Sequence, residues 1–145
     1  MTDRPTPDLR QSYRHFQTIA TRWMDNDVYG HVNNVVYYSY FDTVVNQYLI
    51  ESGVLVIESS PVIGLVVETQ CRYFAPITFP DSVHAGLRVA NLGNSSVRYE
   101  VGLFRNQETT ASAQGHFVHV YVDRASRRPT PLAPAMRTAL EKLLS

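Results

Sequence analysis

Asn34-Val-Val-Tyr37-Tyr-Ser-Tyr-Phe41-Asp-Thr-Val44-Val-Asn-Gln-Tyr48-Leu-Ile-Glu-Ser52 is the stretch on which the fold turns, because Tyr37, Phe41, Val44 and Tyr48 recur at three- and four-residue steps. That period puts them on one face of an α-helix, and Gly53 stands where a helix stop belongs. Val35, Tyr38, Val45 and Leu49 make the other faces apolar too, so the helix is expected to be wrapped by other structure. Asn33 or Asn34 is its expected N-cap.

On the C-terminal side, from Val62 to Asp123, the pattern changes to strands. In Ser82–Ala90, Val83, Ala85, Leu87 and Val89 alternate with Ser82, His84, Gly86 and Arg88, and Val97, Tyr99, Val101 and Leu103 repeat the alternation. A period of two describes strands with one buried face. Asn91-Leu-Gly-Asn-Ser95 and Asn106-Gln-Glu-Thr are turn-rich links, which makes these strands antiparallel neighbours. The last strand, about Thr110 to Asp123, is expected to be the longest, and Pro134 to Leu144 reads as a short terminal helix.

On the N-terminal side, Tyr13 to Met24 carries β-branched and aromatic residues and predicts a first strand. Residues 1–12 are polar with two prolines and read as a flexible lead to a single domain spanning residues 13–145. The order of strand, long helix and antiparallel strands is an α+β layout in which the sheet curls around the helix. Such a sheet leaves open edges, so a homodimer or homotetramer with shared active sites is expected.

Composition narrows the function. The 145-residue chain is 44% hydrophobic and balances thirteen basic against thirteen acidic side chains. It therefore lacks the bulk positive field that holds nucleic acid or an anionic membrane. Cys71 is the single cysteine, which excludes an intramolecular disulfide and fits a reducing cytoplasm. No signal peptide is legible, and no apolar run approaches the ~20 residues that span a bilayer.

Between the first strand and the helix lies Asp25-Asn-Asp27-Val-Tyr29-Gly30-His31-Val32-Asn33-Asn34. The free N–H groups at a helix start stabilise an oxyanion, and a nearby carboxylate can attack a thioester carbonyl or activate a water that does. The pattern Asp-x-Asp-x-x-Gly-x-Val before an aromatic-rich helix resembles the hotdog-fold thioesterases of the 4-hydroxybenzoyl-CoA type, including their bacterial acyl-CoA relatives. Tyr73, Pro76 and Asp81 match the family's strand signature further on.

The resemblance implies that Asp27 is the catalytic carboxylate, that the backbone amide of Asn34 polarises the thioester carbonyl, and that Asp25 is structural. Tyr29, Gly30, Val32 and Tyr37 are the implied substrate-binding residues. His31-Val-Asn-Asn34 is also similar to plant acyl-carrier-protein thioesterases, in which an Asp, an Asn and a His act together. Asp27 and His31 match that set, but Tyr29 stands where the Asn belongs. The basic cluster that the 4-hydroxybenzoyl-CoA enzyme carries is replaced by Gly93-Asn94-Ser95-Ser96. Asn94, Ser95 and Ser96 are therefore candidates for the nucleotide end of coenzyme A, with Arg72, Arg88, Arg98, Arg127 and Arg128 as unranked alternatives.

Simpler roles compete with these. Asp27 could merely close its own turn, and His31 could merely bond backbone. Asp25, Asp27 and His31 do not form a defensible metal site, and His84, His116 and His119 share no common face. Cys71 reads as an inert thiol. Glu68, in the apolar run Leu65-Val-Val-Glu68-Thr, ranks second to Asp27 as a carboxylate. The expected function is acyl-CoA thioester hydrolysis with no cofactor, coenzyme A being part of the substrate. The alternatives are an acyl-carrier-protein thioesterase or a non-catalytic acyl-CoA or lipid binder.

Overall fold

The computed structural model describes residues 5–145 as five antiparallel strands and two helices. The elements run β1 (His15–Ala20), α1 (Val36–Glu51), β2 (Val62–Tyr73), β3 (Ser82–Leu92), β4 (Ser96–Arg105), β5 (Ala113–Asp123) and α2 (Pro134–Glu141). In space the strands order as β1-β3-β4-β5-β2, so β1 and β2 are the edges. This is the expected hotdog fold, with α1 as the filling.

The alternation in the sequence is what binds sheet to helix. Val83, Ala85, Leu87, Val89, Val97, Tyr99, Val101 and Leu103 are all fully buried, and all belong to the cluster that holds Phe41, Val44 and Val45 of α1. Phe41 meets Phe117 of β5 edge-on at 5.4 Å. Truncating so enclosed a ring costs about 3–5 kcal/mol.

Both ends of α1 follow local chemistry. The N-cap is Val35, which makes no side-chain capping bond, rather than the expected Asn33 or Asn34; Asn33 instead closes the turn just before the helix, its side-chain oxygen accepting the Val35 N–H and its carbonyl the Val36 N–H, both at 2.9 Å. Gly53 adopts φ +75°, which lets Val54 donate back to Leu49 at 3.1 Å and close the helix.

Several expectations change. β1 ends at Ala20, short of Met24, because the Thr21 hydroxyl and N–H both turn to the Asp81 carbonyl, at 2.6 and 3.3 Å. Trp23–Asp25 then forms a single 3₁₀ turn. The longest strand is β2 with 12 residues, against 11 in β5, because Thr110 and Ala111 pair with Leu9 and Asp8 of the lead rather than with β2. Helix α2 stops at Glu141, and Leu144 pairs instead with Val89.

The polar lead is in part a packed segment. The Asp8 N–H donates to Gln114, its carboxylate accepts from Tyr13 and Arg88, and Arg10–Ser12 forms a 3₁₀ turn; residues 1–4 lie outside the described residues. Helix α1 is also not wrapped on all sides: Ser39, Asp42, Thr43 and Ile50 are exposed along it. Among the described residues no helix is long and apolar enough to cross a membrane.

Candidate active site

Asp25 anchors the loop between β1 and α1. Its side chain is buried, and it accepts the Arg22 N–H at 2.8 Å, the Tyr40 hydroxyl at 2.8 Å and the Arg22 guanidinium at 2.9 and 3.0 Å. Burial alone would raise the carboxyl, but these hydrogen bonds from Arg22 and Tyr40 outweigh it and hold it below the usual range. Its carbonyl accepts the Asn33 N–H at 2.8 Å, which ties the loop's entrance to the helix start.

The turn held on that anchor carries Asp27. The Asp27 N–H and carbonyl bond His31 and Gly30 at 2.9 and 3.0 Å, and its Oδ1 accepts the Tyr29 N–H at 2.9 Å. Gly30 takes φ +81°, a conformation that a side chain at this position would strain. Asp27 thus does close its own turn, but with one oxygen only; Oδ2 accepts no hydrogen bond among the described residues.

Asp27 borders a cleft of ≈ 490 Å³ whose walls include Tyr29, His31, Val32, Asn34, Tyr37, Tyr73 and Pro76. Five expected site residues, Tyr29, His31, Val32, Asn34 and Tyr37, therefore join Asp27 in one place, as do Tyr73 and Pro76 of the strand signature. Gly30 lies on the other side of the turn, in a hollow of ≈ 630 Å³ with Trp23 and Val28 that also touches Asp27 and Tyr29.

The donors in the cleft are unevenly used. The Val32 N–H goes to Ile77 at 2.7 Å, the Asn33 N–H to Asp25 and the Val35 N–H to the Asn33 side chain, whereas the Asn34 N–H meets no acceptor among the described residues. A free amide at a helix start, bordering the same cleft as a carboxylate, is what a developing oxyanion needs. Tyr37 is buried with its ring 5.0 Å from Tyr73, and burial pushes the phenols of both upward. Burial likewise pushes the Cys71 thiol up to about 11, in keeping with an inert cysteine.

Other candidates lie elsewhere. Glu68 is on the opposite face of the sheet, where its carboxylate meets His116 Nε2 at 2.6 Å, so it does not share the Asp27 cleft of its own chain. Asn94, Ser95 and Ser96 form the β3–β4 turn at the far end of the sheet, where Arg137 of α2 donates to the Gly93 and Asn94 carbonyls at 2.7 and 3.5 Å. β3 has 11 residues, which separates that turn from the Asp27 end by about 30 Å within one chain.

Of the five candidate arginines, Arg72, Arg88 and Arg98 line a hollow on the outer face of the sheet. Arg88 is committed to Glu100, Asp8 and the Ser12 carbonyl, and Arg98 to Glu100 and His116. Arg72 has no such partner among the described residues, but it also faces the outer hollow with His116 and Gln114. Among the described residues no group of three or more His, Cys, Asp or Glu is placed to hold a metal ion. Tyr73, Phe74 and Ala75, none of them among the expected site residues, also wall the cleft; the Tyr-x-x-Pro stretch at the end of β2 was the available signal.

A family model of the thioesterase-like superfamily matches residues 21–140. The chain belongs to that superfamily and is a thioester hydrolase of the hotdog fold. Among solved structures it is similar to the PA5185 protein of Pseudomonas aeruginosa strain PAO1, with 57% identity, a TM-score of 0.94, and 97% of this chain and 98% of that one covered. The fold also matches a DHNA-CoA thioesterase from Staphylococcus aureus at 19% identity and TM-score 0.78, covering 88% of each chain. The Bacillus subtilis protein YsmA is 25% identical over 124 residues, 86% of this chain and 83% of that one.

Proposed function

We propose that the protein hydrolyses an acyl- or aryl-CoA thioester to the free acid and coenzyme A, with Asp27 as general base and the Asn34 N–H as oxyanion donor. The observation that carries this reading is the pairing, in one cleft, of an Asp27 oxygen and an Asn34 amide that both lack a hydrogen-bond partner among the described residues. The thioester oxygen lies against the Asn34 N–H. Asp27 Oδ2 takes a proton from a water, the water oxygen bonds to the carbonyl carbon, and the tetrahedral oxyanion collapses with loss of the thiolate of coenzyme A.

His31 is exposed at the rim with its ring free to orient the water or the thiolate. The reaction needs no cofactor or metal, because the negative charge is met by backbone dipole and the proton by a carboxylate. The solved relative that is a DHNA-CoA thioesterase supports a coenzyme A thioester over an acyl-carrier-protein one.

The assembly is a homodimer or a higher homo-oligomer. β2 is a 12-residue edge strand carrying Val66 and Val67 at 48% and 61% exposure, which a second copy would cover. Antiparallel pairing of β2 with its copy would also carry a partner's β3–β4 turn, with its Asn and two Ser, toward this cleft. A cytoplasmic location fits the single cysteine.

A panel of aryl-, short- and long-chain acyl-CoA thioesters, followed by free-thiol release, tests the reading. Asp27→Asn is expected to lower kcat by about 10²–10⁴-fold. Turnover of no thioester, or full activity in Asp27→Asn, overturns it. Single-turnover hydrolysis in ¹⁸O-labelled water separates base from nucleophile: label carried into the Asp27 carboxylate marks an anhydride route.

A further inference from the structure

Tyr73 ends β2, and its hydroxyl donates to the Asn34 carbonyl at 3.0 Å, across 39 positions of sequence. That carbonyl receives no backbone N–H among the described residues, because Tyr38, which a regular helix would direct to it, bonds Val35 instead at 3.3 Å. Asn34 is therefore gripped from two sides. The Asn34 N–H shares its peptide plane with the Asn33 carbonyl, which Val36 holds, while the next plane, Asn34 C=O to Val35 N–H, is held by Tyr73 at its carbonyl and by the Asn33 side chain at its N–H.

We propose that Tyr73 is a positioning residue whose phenol fixes the Asn34–Val35 peptide plane and, through the backbone dihedrals of Asn34, holds the Asn34 N–H toward the thioester oxygen. The inference rests on the reading of Asn34 as the oxyanion donor. Geometry sets its weight: an oxyanion donor acts only when it points at the place where charge develops, and it loses effect steeply with misalignment. The Tyr73 ring is 44% exposed and braced edge-on by Tyr37 at 5.0 Å, so Phe in its place keeps the brace and removes only the hydroxyl. Burial, with Cys71 beside it, keeps the phenol protonated, and hence a donor, through the neutral range.

Tyr73→Phe in the full chain is expected to lower kcat about ten- to a hundredfold, less than the loss of an oxyanion donor outright, with KM and Tm little changed. The ¹⁵N–¹H resonances of Asn34 and Val35 should move while those of β3 and β4 stay. Fluorotyrosine at position 73 restores the hydroxyl and should restore kcat at neutral pH. Its more acidic phenol should then lose activity at alkaline pH, where the natural residue holds.

If Tyr73→Phe keeps kcat within twofold while Asp27→Asn is inactive, the positioning role is wrong and the catalytic reading stands. If Asp27→Asn is fully active, the catalytic reading itself falls and takes the inference with it. A fall in kcat tracked by an equal loss of thermal stability, unrepaired by fluorotyrosine, shows a structural role and also overturns the inference.

Discussion

His119 should make the fold acid-labile in a defined window. It sits on β5 on the inner face of the sheet, stacked on Phe117 at 5.5 Å and edge-on to Tyr99 at 5.0 Å, with Nε2 buried and without a hydrogen-bond partner among the described residues. Burial with no compensating partner lowers its pKa from 6.5 to about 4. The folded state holds it neutral while the unfolded chain takes up a proton below pH 6.5, so stability is complete above about pH 6.5 and is lost as pH falls toward 4. A shift of that size amounts to about 2 kcal/mol lost between pH 7.5 and 5, and about 3 kcal/mol by pH 4.

His119→Phe removes the titration but keeps a ring. Gly64 already lies close to the imidazole, so the wider ring adds a pH-independent penalty of about 1–3 kcal/mol. The slope is therefore the readout rather than the absolute stability. Urea unfolding midpoints measured from pH 7.5 to 4.5 should fall steeply in the wild type and less steeply in the variant. Some slope remains, because burial lowers His15 and His84 as well. Equal slopes in the two proteins would refute the placement of a neutral, unpartnered His119 in the core.

Tyr40→Phe deletes one charge-assisted hydrogen bond to the buried Asp25 carboxylate, a loss of about 1.5–3 kcal/mol at pH 7. Asp25 is held below its unfolded pKa, so its contribution is present above about pH 4 and disappears as pH falls through the folded value. The gap between wild type and variant should therefore narrow in acid, and urea melts at pH 7 and pH 3 decide it. Glu68→Gln weakens a half-buried contact with His116 on the face away from the cleft, so kcat should stay within about twofold and stability should fall by no more than about 1–2 kcal/mol. A tenfold loss of kcat would place Glu68 in the reaction after all.

Helix α1, its Gly53 stop and the inward faces of β3 and β4 were legible because each is written in local periodicity. Asp27 as turn-former was legible for the same reason: its partners lie within four residues. The packing of the lead around Asp8 and the early end of the first strand were not legible because distant partners decide them. Asp8 is held by Gln114 and Arg88, and β1 is cut short by the Asp81 carbonyl.

The carboxylate-bearing loop, the helix that follows it and the alternating strands are thus properties of the sequence by itself, since short-range sterics and burial of one face determine them. The sidedness of β2 is not. Val66 pairs with His119 on the inner face, but a bulge between Val66 and Glu68 shifts the register by one residue. Strict alternation would have turned Glu68 inward and Tyr73 outward; the bulge reverses both. Glu68 goes to the outer face, while Tyr73 enters the cleft and reaches Asn34. Only the paired sheet decides this, because a bulge exists only relative to the neighbouring strand.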